Sequence, residues 1–381
     1  MLSFKIFLKR KFFASAFLFS SFSLIFSTWV VYIPYISEKL GLSEGRLGGA
    51  LFFISVGALI IIPVMNRYVD RIGVGRAAFI SFSLYAVSLY GMFLVSSYFM
   101  LCVSLLFFGS MGSAFDISIN SLTANIEKES GVNIMSGSHG FWSLGGMTGA
   151  ALGSFISARI DKPLIHISVL VLLLFVIQLF LKKEYIHIRT EHHDKEKHRR
   201  FRVSPLLAFA VIGLIVMVSE GAMADWSALY LKKIINVRAD LLGFGYALFS
   251  FGMTLGRFNG DSLSGRLGSW ILLRRALALS LAGFLLVLVV SPAWVSLAGF
   301  FIVGLGFSVV VPEVFRLSSR VPGIRTADGV SFIAVTANTG FLMGPVLLGF
   351  IAELHTLHLS YMALTAFVSV AFVIAVVRRR S

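Results

Sequence analysis

Lys182–Arg202 reads KKEYIHIRTEHHDKEKHRRFR, and the rest of the chain is read outward from it. The stretch holds eight Lys/Arg, four Asp/Glu and four His. On either side the sequence is a succession of apolar runs of about 20 residues, the length a helix needs to cross a bilayer. Only helices and closed barrels cross one, because every backbone polar group must be paired inside the protein. The stretch is therefore expected to be a cytoplasmic linker, 182–204, between an N-terminal six-helix half, 1–181, and a C-terminal six-helix half, 205–381. The spacing of its histidines matches no metal-ligand motif, so a solvated basic linker is expected rather than a metal site.

Composition agrees. Of 381 residues, 57% are hydrophobic and 13% charged, against about 25% charged in soluble domains. The net charge of +15 is spread over span ends and the linker, the pattern of the positive-inside rule. No basic stripe interleaved with stacking aromatics is present, so nucleic acid is not expected as a partner. The single Cys102 excludes an intramolecular disulfide. The apolar run from Phe12 to Ile36 behind Lys5, Lys9, Arg10 and Lys11 is too long for a signal-peptide core and reads as an uncleaved first helix.

Twelve spans fit: 12–36, 46–65, 77–96, 98–123, 138–159, 163–181, 205–230, 239–257, 270–290, 293–317, 327–352 and 358–377. The basic residues of the first segment, Arg67, Arg71 and Arg76, the linker, Arg266, Arg274 and Arg275, Arg320 and Arg325, and Arg378 to Arg380 all fall on one side if both termini are cytoplasmic. Lys232, Lys233 and Arg238 are the exception.

The halves repeat. Asn66–Gly73 reads NRYVDRIG between spans 2 and 3, and Asp261–Gly268 reads DSLSGRLG between spans 8 and 9. A basic turn closed by Gly at the same place in each half argues for internal duplication. The first copy resembles the Gly-x-Leu-x-Asp-Arg-x-Gly signature of the major facilitator superfamily. Asp70, Arg71 and Gly73 match, while Asn66 and Tyr68 depart from it. The second keeps Leu263, Arg266 and Gly268, with Asp261 and Gly265 in place of Gly and Asp. Three further stretches, Ala114–Asn120 (AFDISIN), Ser138–Gly146 (SHGFWSLGG) and Glu220–Ala228 (EGAMADWSA), are similar to the YbjJ-like bacterial members. The resemblance covers the whole chain. It implies an all-α transporter of twelve helices in two six-helix halves, a gate at Asp70, Arg71, Gly73, Asp261 and Arg266, and a central cavity lined by spans 1, 4, 7 and 10.

Ionisable residues inside spans are the main chemical signal, since a charge at the centre of a helix costs about 2.5–3.5 kcal/mol on insertion scales. Span 4 carries Gly109, Gly112, Asp116, Asn120 and Thr123 on one face. This is either a small-residue packing seam or a cavity wall, and the Asp favours the wall. Span 7 carries Glu220, Met223, Ser227 and Tyr230 with the same periodicity. Asp225 lies on another face and is expected to pair with a further span or with Lys232 and Lys233. Glu313 and Arg316 in span 10 read as an ion pair or gate. Ser20, Ser23 and Ser27 read as packing or back-bonding residues, and Trp29, Tyr32 and Tyr35 as interfacial anchors. Asn338 is interhelical glue or a cavity contact. His139 reads as structural. Gly145, Gly146, Gly149 and Gly153 in span 5 permit close helix contact. Resemblance to the drug/proton antiporters of the superfamily would imply a Pro in this Gly-rich motif; none lies between Ser138 and Lys162, which counts against a drug exporter.

No Gly-Lys-Ser/Thr box, hydrolytic triad or metal cluster is visible, so neither an enzyme nor a cofactor is expected. The expected protein is a monomeric, proton-coupled secondary transporter of the bacterial inner membrane, with lipid, protons and a small polar solute as partners. Asp116, Glu220 and Glu313 are the candidates for proton coupling. Asn120, Glu220, Met223, Ser227, Tyr230 and Asn338 are the candidates for substrate binding. No Lys or Arg is expected in the middle of a span, so a neutral sugar-like or a cationic cargo fits better than an anionic one. The alternatives are an exporter of amphipathic cations and a non-transporting membrane sensor. The loop charges also predict that cysteines placed in Lys182–Arg202 resist an impermeant thiol reagent added outside intact cells. Ready labelling would reverse the orientation.

Overall fold

A computed structural model describes residues 4–132, 134–189, 203–289, 292–322, 324 and 326–378. The middle of the basic stretch, with His192, His193 and His198, lies outside the described residues, as do Arg325, Arg379 and Arg380. The chain divides into two compact units, Met1–Asp194 and Lys195–Ser381.

The first unit holds α1 (Arg10–Lys39), α2 (Glu44–Ile72), α3 (Val74–Gly91), α4 (Tyr98–Ser130), α5 (Met135–Ser157) and α6 (Pro163–Leu181). The second holds α7 (Leu207–Tyr230), α8 (Phe244–Leu267), α9 (Ser269–Leu288), α10 (Ala293–Phe307), α11 (Val310–Ser318), α12 (Thr326–Leu354) and α13 (Leu357–Val377). Local chemistry sets many of these ends. The Ser43, Ser97 and Thr356 hydroxyls accept from the third residue on, at the starts of α2, α4 and α13. Pro163 opens α6. Gly131 closes α4 in the left-handed conformation at φ 67°.

Among the described residues, nine stretches are long and apolar enough to cross a membrane. The long helices outside that set are α3, α5 and α8, which are rich in Gly and Ser. In α5 and α8 small residues meet other helices, which lowers apolarity without shortening the helix. Leu164, Ile165, Val169, Leu172, Leu173 and Phe180 are exposed along α6, a face suited to lipid and not to water.

Close backbone crossings organise each unit. A Cβ on Gly57 of α2 would overlap the Leu106 carbonyl, and one on Gly109 of α4 would overlap the Ile54 carbonyl. The same reciprocal crossing recurs 195 residues later: Gly252 of α8 meets the Phe301 carbonyl, and Gly304 of α10 meets the Phe249 carbonyl. The pairing of α1 with α5 recurs as well. Gly145 lies on the Ser20 carbonyl as Gly340 of α12 lies on the Leu214 carbonyl of α7, and Gly149 lies on Leu24 as Gly344 lies on Val218. The duplication is therefore present in the packing as well as in the signature turns.

Four sequence expectations need correction. The first signature segment is not a loop: α2 runs to Ile72, and a single residue, Gly73 at φ 90°, separates it from α3. In the second half α8 runs to Leu267 and Gly268, at φ 79°, makes the turn. Span 8 does not end at Arg257, because Asn259, Ser262 and Arg266 recur at helical spacing on one face of α8. Span 10 is interrupted between α10 and α11, at Ser308 and Val309.

The fourth concerns the start of the basic stretch, which is not solvated throughout. Tyr185 and Ile188 are buried, and the Gly75 N–H donates to the Ile188 carbonyl at 3.0 Å. A side chain at Gly75 would strike the Tyr185 carbonyl. Burial pushes the Tyr185 hydroxyl well above its ordinary pKa, against a smaller opposing effect from the Gln178 amide that donates to it, so the ring stays neutral and packed.

The crossings predict that Gly109→Ala lowers the thermal unfolding midpoint in detergent by several degrees, since overpacking costs about 1–3 kcal/mol. Gly265→Ala, whose added Cβ meets nothing within 4 Å, should leave the midpoint unchanged or raise it slightly.

Candidate functional site

In the first unit the α4 face resolves into packing positions and one polar pair. Gly109 meets α2, and Gly112 approaches the Tyr85 and Phe22 rings. Thr123 joins a buried hydroxyl cluster in which the Ser15 Oγ lies 2.7 Å from Thr123 Oγ1 and 3.0 Å from Ser138 Oγ. That cluster ties α4 to α1 and α5. Asp116 and Asn120 remain, both partly exposed. The Asn120 amide donates to Asp116 Oδ1 and to the Asp116 backbone carbonyl, each at 2.9 Å. Asp116 therefore has a neutral partner one turn away on its own helix and forms no ion pair with a described residue.

The remaining expectations for α1 and α5 divide. Ser27 back-bonds to Leu24, and Gly145 and Gly149 seat α5 against α1. Trp29 and Tyr32 are not interfacial anchors; both are buried, and the Tyr32 hydroxyl lies 3.1 Å from His166 Nδ1. The His139 ring packs edge-on against Phe19 at 4.8 Å.

The second unit holds the other acids. Glu220 of α7 is buried, and its Oε1 lies 3.6 Å from Arg257 Nη2 on α8. Arg257 is the residue the sequence missed, because the span was ended there. It lies inside a helix, so the expectation that spans carry no internal cation fails. The argument against an anionic group on the cargo loses its premise with it. The signal available in the sequence was the helical spacing of the polar residues after Arg257.

Met223, Ser227 and Tyr230 are fully buried. Ser227 backs Gly245 of α8. The Tyr230 hydroxyl donates to the Val287 carbonyl at 3.1 Å and lies 2.9 Å from His358 Nδ1. These contacts tie α7 to α8, α9 and α13, which reassigns Ser227 and Tyr230 from substrate-facing to packing positions. Asn338 is exposed on α12 and is not buried glue.

Glu313 and Arg316 do form an ion pair, Oε1 to Nη1 at 2.6 Å. Glu313 is buried, and the Arg316 guanidinium also donates to Ser264 Oγ at the end of α8. This links α11 to α8 just beyond the interruption of span 10. Arg71 and Arg266 are exposed in the last turns of α2 and α8, each followed by its glycine turn. The side chains of Asp70 and Asp261 lie outside the description. A cavity of about 490 Å³ runs along α8 beside Leu255, Asn259, Ser262 and Arg266 and reaches Leu305 of α10. Among the described residues no cluster of three or more His, Cys, Asp or Glu is placed to hold a metal.

Helices of this length, duplicated crossings and acids inside helices describe a membrane transport scaffold, and comparison with known proteins agrees. The family model described as Major Facilitator Superfamily matches residues 11–331. An uncharacterized MFS-type transporter of Yersinia pestis is 28% identical over 88% of this chain and 87% of its own length. The membrane protein MosC of Rhizobium meliloti is 28% identical over 89% of this chain and 83% of its own. In fold, a single-residue variant of the nucleoside transporter NupG superposes with a TM-score of 0.77 at 11% identity, covering 97% of this chain and 100% of that one. A bacterial homologue of the lysosomal transporter Spinster, inward-facing and unoccupied, gives 0.70 at 12% identity, covering 96% of each chain. The chain is a multi-pass membrane transporter and belongs to the major facilitator superfamily.

Proposed function

We propose that this chain is a proton-coupled secondary transporter that moves a small polar solute by alternating access, as a monomer in the bacterial inner membrane with both termini cytoplasmic. In this reading α3, α5 and α8 also cross the bilayer, α10 and α11 form one discontinuous span, and twelve spans fall into two halves joined by 182–204. Within the superfamily we place it with the YbjJ-like group on the stretches around Asp116, Ser138 and Glu220.

The observation that carries the reading is Asp116. It is a carboxylate inside a membrane helix whose side-chain partner is a neutral amide, Asn120 Nδ2 at 2.9 Å. A carboxylate held by a cation stays ionised through a cycle. One held only by a neighbouring amide, on a helix without Lys or Arg at that depth, is free to exchange a proton as its access to water changes. Glu313 is less suited to this role, because Arg316 neutralises it at 2.6 Å. Glu220 with Arg257 is the better candidate for solute contact. The pair is open at 3.6 Å and offers both an acceptor and a donor, which suits a polyhydroxy solute and weakens the reading as an exporter of amphipathic cations. Asp70, Arg71 and Gly73, with Asp261, Arg266 and Gly268, are the proposed hinge positions.

A thermal-shift screen of sugars, polyols, nucleosides and amines supplies the ligand, because a bound solute stabilises by mass action. With that ligand in proteoliposomes, Asp116→Asn should lose accumulation driven by a proton gradient and retain counterflow, since exchange needs no net proton movement. Accumulation that survives the substitution removes Asp116 from the coupling step. Glu220→Gln should weaken ligand binding about tenfold, the order expected for losing one charged hydrogen-bond partner, with insertion and yield unchanged. Wild-type affinity in that variant would place solute recognition elsewhere.

A further inference from the structure

The cavity along α8 has no part in the roles assigned so far. Its wall is graded from apolar to polar. Leu255, with Leu305 of α10, lines one end, and Asn259, Ser262, Leu263 and Arg266 continue along α8. Arg266 stands eleven residues after Leu255, about 16 Å along the helix axis. That is the depth of one leaflet of a hydrocarbon core about 30 Å thick. Leu255 and Leu263 are exposed, and Phe251 and Phe258 are exposed on the same helix. The apolar end is thus an open groove and not a closed pocket.

The polar end offers three donors. Arg266 lies in the last turn of α8, is exposed, and forms no ion pair or hydrogen bond with a described residue. Its guanidinium is charged at any physiological pH. The Ser262 hydroxyl is exposed and equally uncommitted. The Asn259 amide gives one hydrogen to the Leu255 carbonyl at 2.8 Å and keeps the other. Positions 259, 262 and 266 share one face of the helix, and no acid is among the described residues that line the cavity. Other arginines of the unit are engaged: Arg257 faces Glu220, Arg316 is held by Glu313, and Arg274 donates to the Ala375 carbonyl.

The first unit does not repeat this arrangement. With the segments Asn66–Gly73 and Asp261–Gly268 matched, Ile60 stands where Leu255 does and Val64 where Asn259 does, both exposed. The apolar surface is kept and a donor is lost. A free phosphate at the second-unit donors would leave Leu255, Leu263 and Leu305 unused. A lipid uses both ends, since its phosphate takes the donors and its chain takes the apolar wall, as basic pockets between membrane helices do with lipid headgroups. We propose that this groove binds an anionic phospholipid, its phosphate at Arg266, Ser262 and Asn259 and an acyl chain along Leu263, Leu255 and Leu305. The leaflet, cytoplasmic under the proposed orientation, rests on the reading of this chain as having cytoplasmic termini. The binding rests only on its being a membrane protein.

Native mass spectrometry of the full chain in detergent, titrated with phosphatidylglycerol or with phosphatidylcholine of the same acyl chains, tests the proposal. The wild type should hold phosphatidylglycerol more tightly than phosphatidylcholine. Arg266→Gln should lower the phosphatidylglycerol affinity about fivefold, the effect of one arginine near an anionic surface. Should Arg266→Gln fail to fold, Asn259→Val, which installs the residue of the first unit, should lower that affinity severalfold. Leu255→Asn should weaken both lipids. Arg275→Gln removes an exposed arginine outside the groove and should change neither. A wild type without preference between the lipids overturns the proposal, as does a phosphatidylglycerol affinity unchanged in both Arg266→Gln and Asn259→Val. An equal loss in Arg275→Gln would mean diffuse attraction to basic surface and also overturns it. Millimolar inorganic phosphate should leave the lipid bound; displacement by it would make free phosphate the ligand. Wild-type dimers that Leu255→Asn dissociates would give the groove to a second copy of the chain and sink the lipid. The measurement needs no solute and no proton gradient, so its outcome is separate from the transport assays on Asp116 and Glu220.

Discussion

Backbone-to-backbone contact between helices is the constraint on which the rest of this structure depends. In a bilayer, apolar side chains gain little by leaving lipid for one another, so helices associate through close packing and hydrogen bonds. Here the contact is closest where a glycine faces a carbonyl: Gly57 with Leu106, Gly109 with Ile54, Gly145 with Ser20. Each excludes even a methyl group, so each fixes the relative height of two helices. The second unit repeats the three at Gly252, Gly304 and Gly340. A duplicated chain that kept only its hydrophobicity would tolerate sliding along the seams. Keeping the glycines and the carbonyls opposite them holds both units to one register.

That register determines which acids acquire partners. Gly109 and Gly112 seat α4 so that Thr123 meets Ser15, and the stretch between them leaves Asp116 beside Asn120 and nothing cationic. Gly252 and Gly304 seat α8 on α10, and Arg257 and Ser264 on α8 then come within reach of Glu220 and Arg316. These acids thus fall into different electrostatic classes. Glu313 is neutralised in a tight pair, Glu220 faces a cation at longer range, Asp116 has an amide, and Asp225 is buried with no hydrogen-bond partner for its Oδ1 among the described residues. Oppositely charged partners favour the ionised form, so a single scaffold places its acids in unlike surroundings, from a tight ion pair to a neutral amide.

Much of this was legible in the sequence, and the limits are physical. Apolar runs of membrane length and the matched Arg-x-Gly segments gave the helices and the duplication, because hydropathy and a turn glycine are local properties. Arg257 was misplaced because polar residues after it look like a loop when counted, and like one face of a helix only when their spacing of three and four is followed. The interruption at Ser308 and Val309 has a local cause that was overlooked: Pro312 has no N–H to donate to the Ser308 carbonyl four residues back, and its ring crowds that carbonyl. Which members of a periodic face meet another helix is nonlocal. Glu220, Met223, Ser227 and Tyr230 share a periodicity, yet Tyr230 is committed to Val287 and His358 by the positions of α9 and α13. Asp225, expected to pair with another span or with Lys232 or Lys233, is buried with an Oδ1 that has no hydrogen-bond partner among the described residues, which only the placement of the neighbouring helices reveals.

The two signature turns look equivalent in sequence and are not equivalent in structure. Both consist of a single glycine, at φ 90° in Gly73 and 79° in Gly268, and both follow a helix that carries an exposed arginine in its last turn. The first turn is covered. The Arg189 side chain and the Ile188 carbonyl lie 3.1 and 3.4 Å from where a Cβ on Gly73 would stand, and the Gly75 N–H holds the Ile188 carbonyl at 3.0 Å. At Gly268 nothing lies within 4 Å of the same position among the described residues. A change in the angle between α2 and α3 must therefore carry the Tyr185–Arg189 segment with it, or break the Gly75 hydrogen bond and expose a buried tyrosine. A change between α8 and α9 meets no such restraint. The duplication fixed the helix crossings in both units, while the start of the basic stretch, which follows only the first, makes one of two otherwise matched hinges the stiffer.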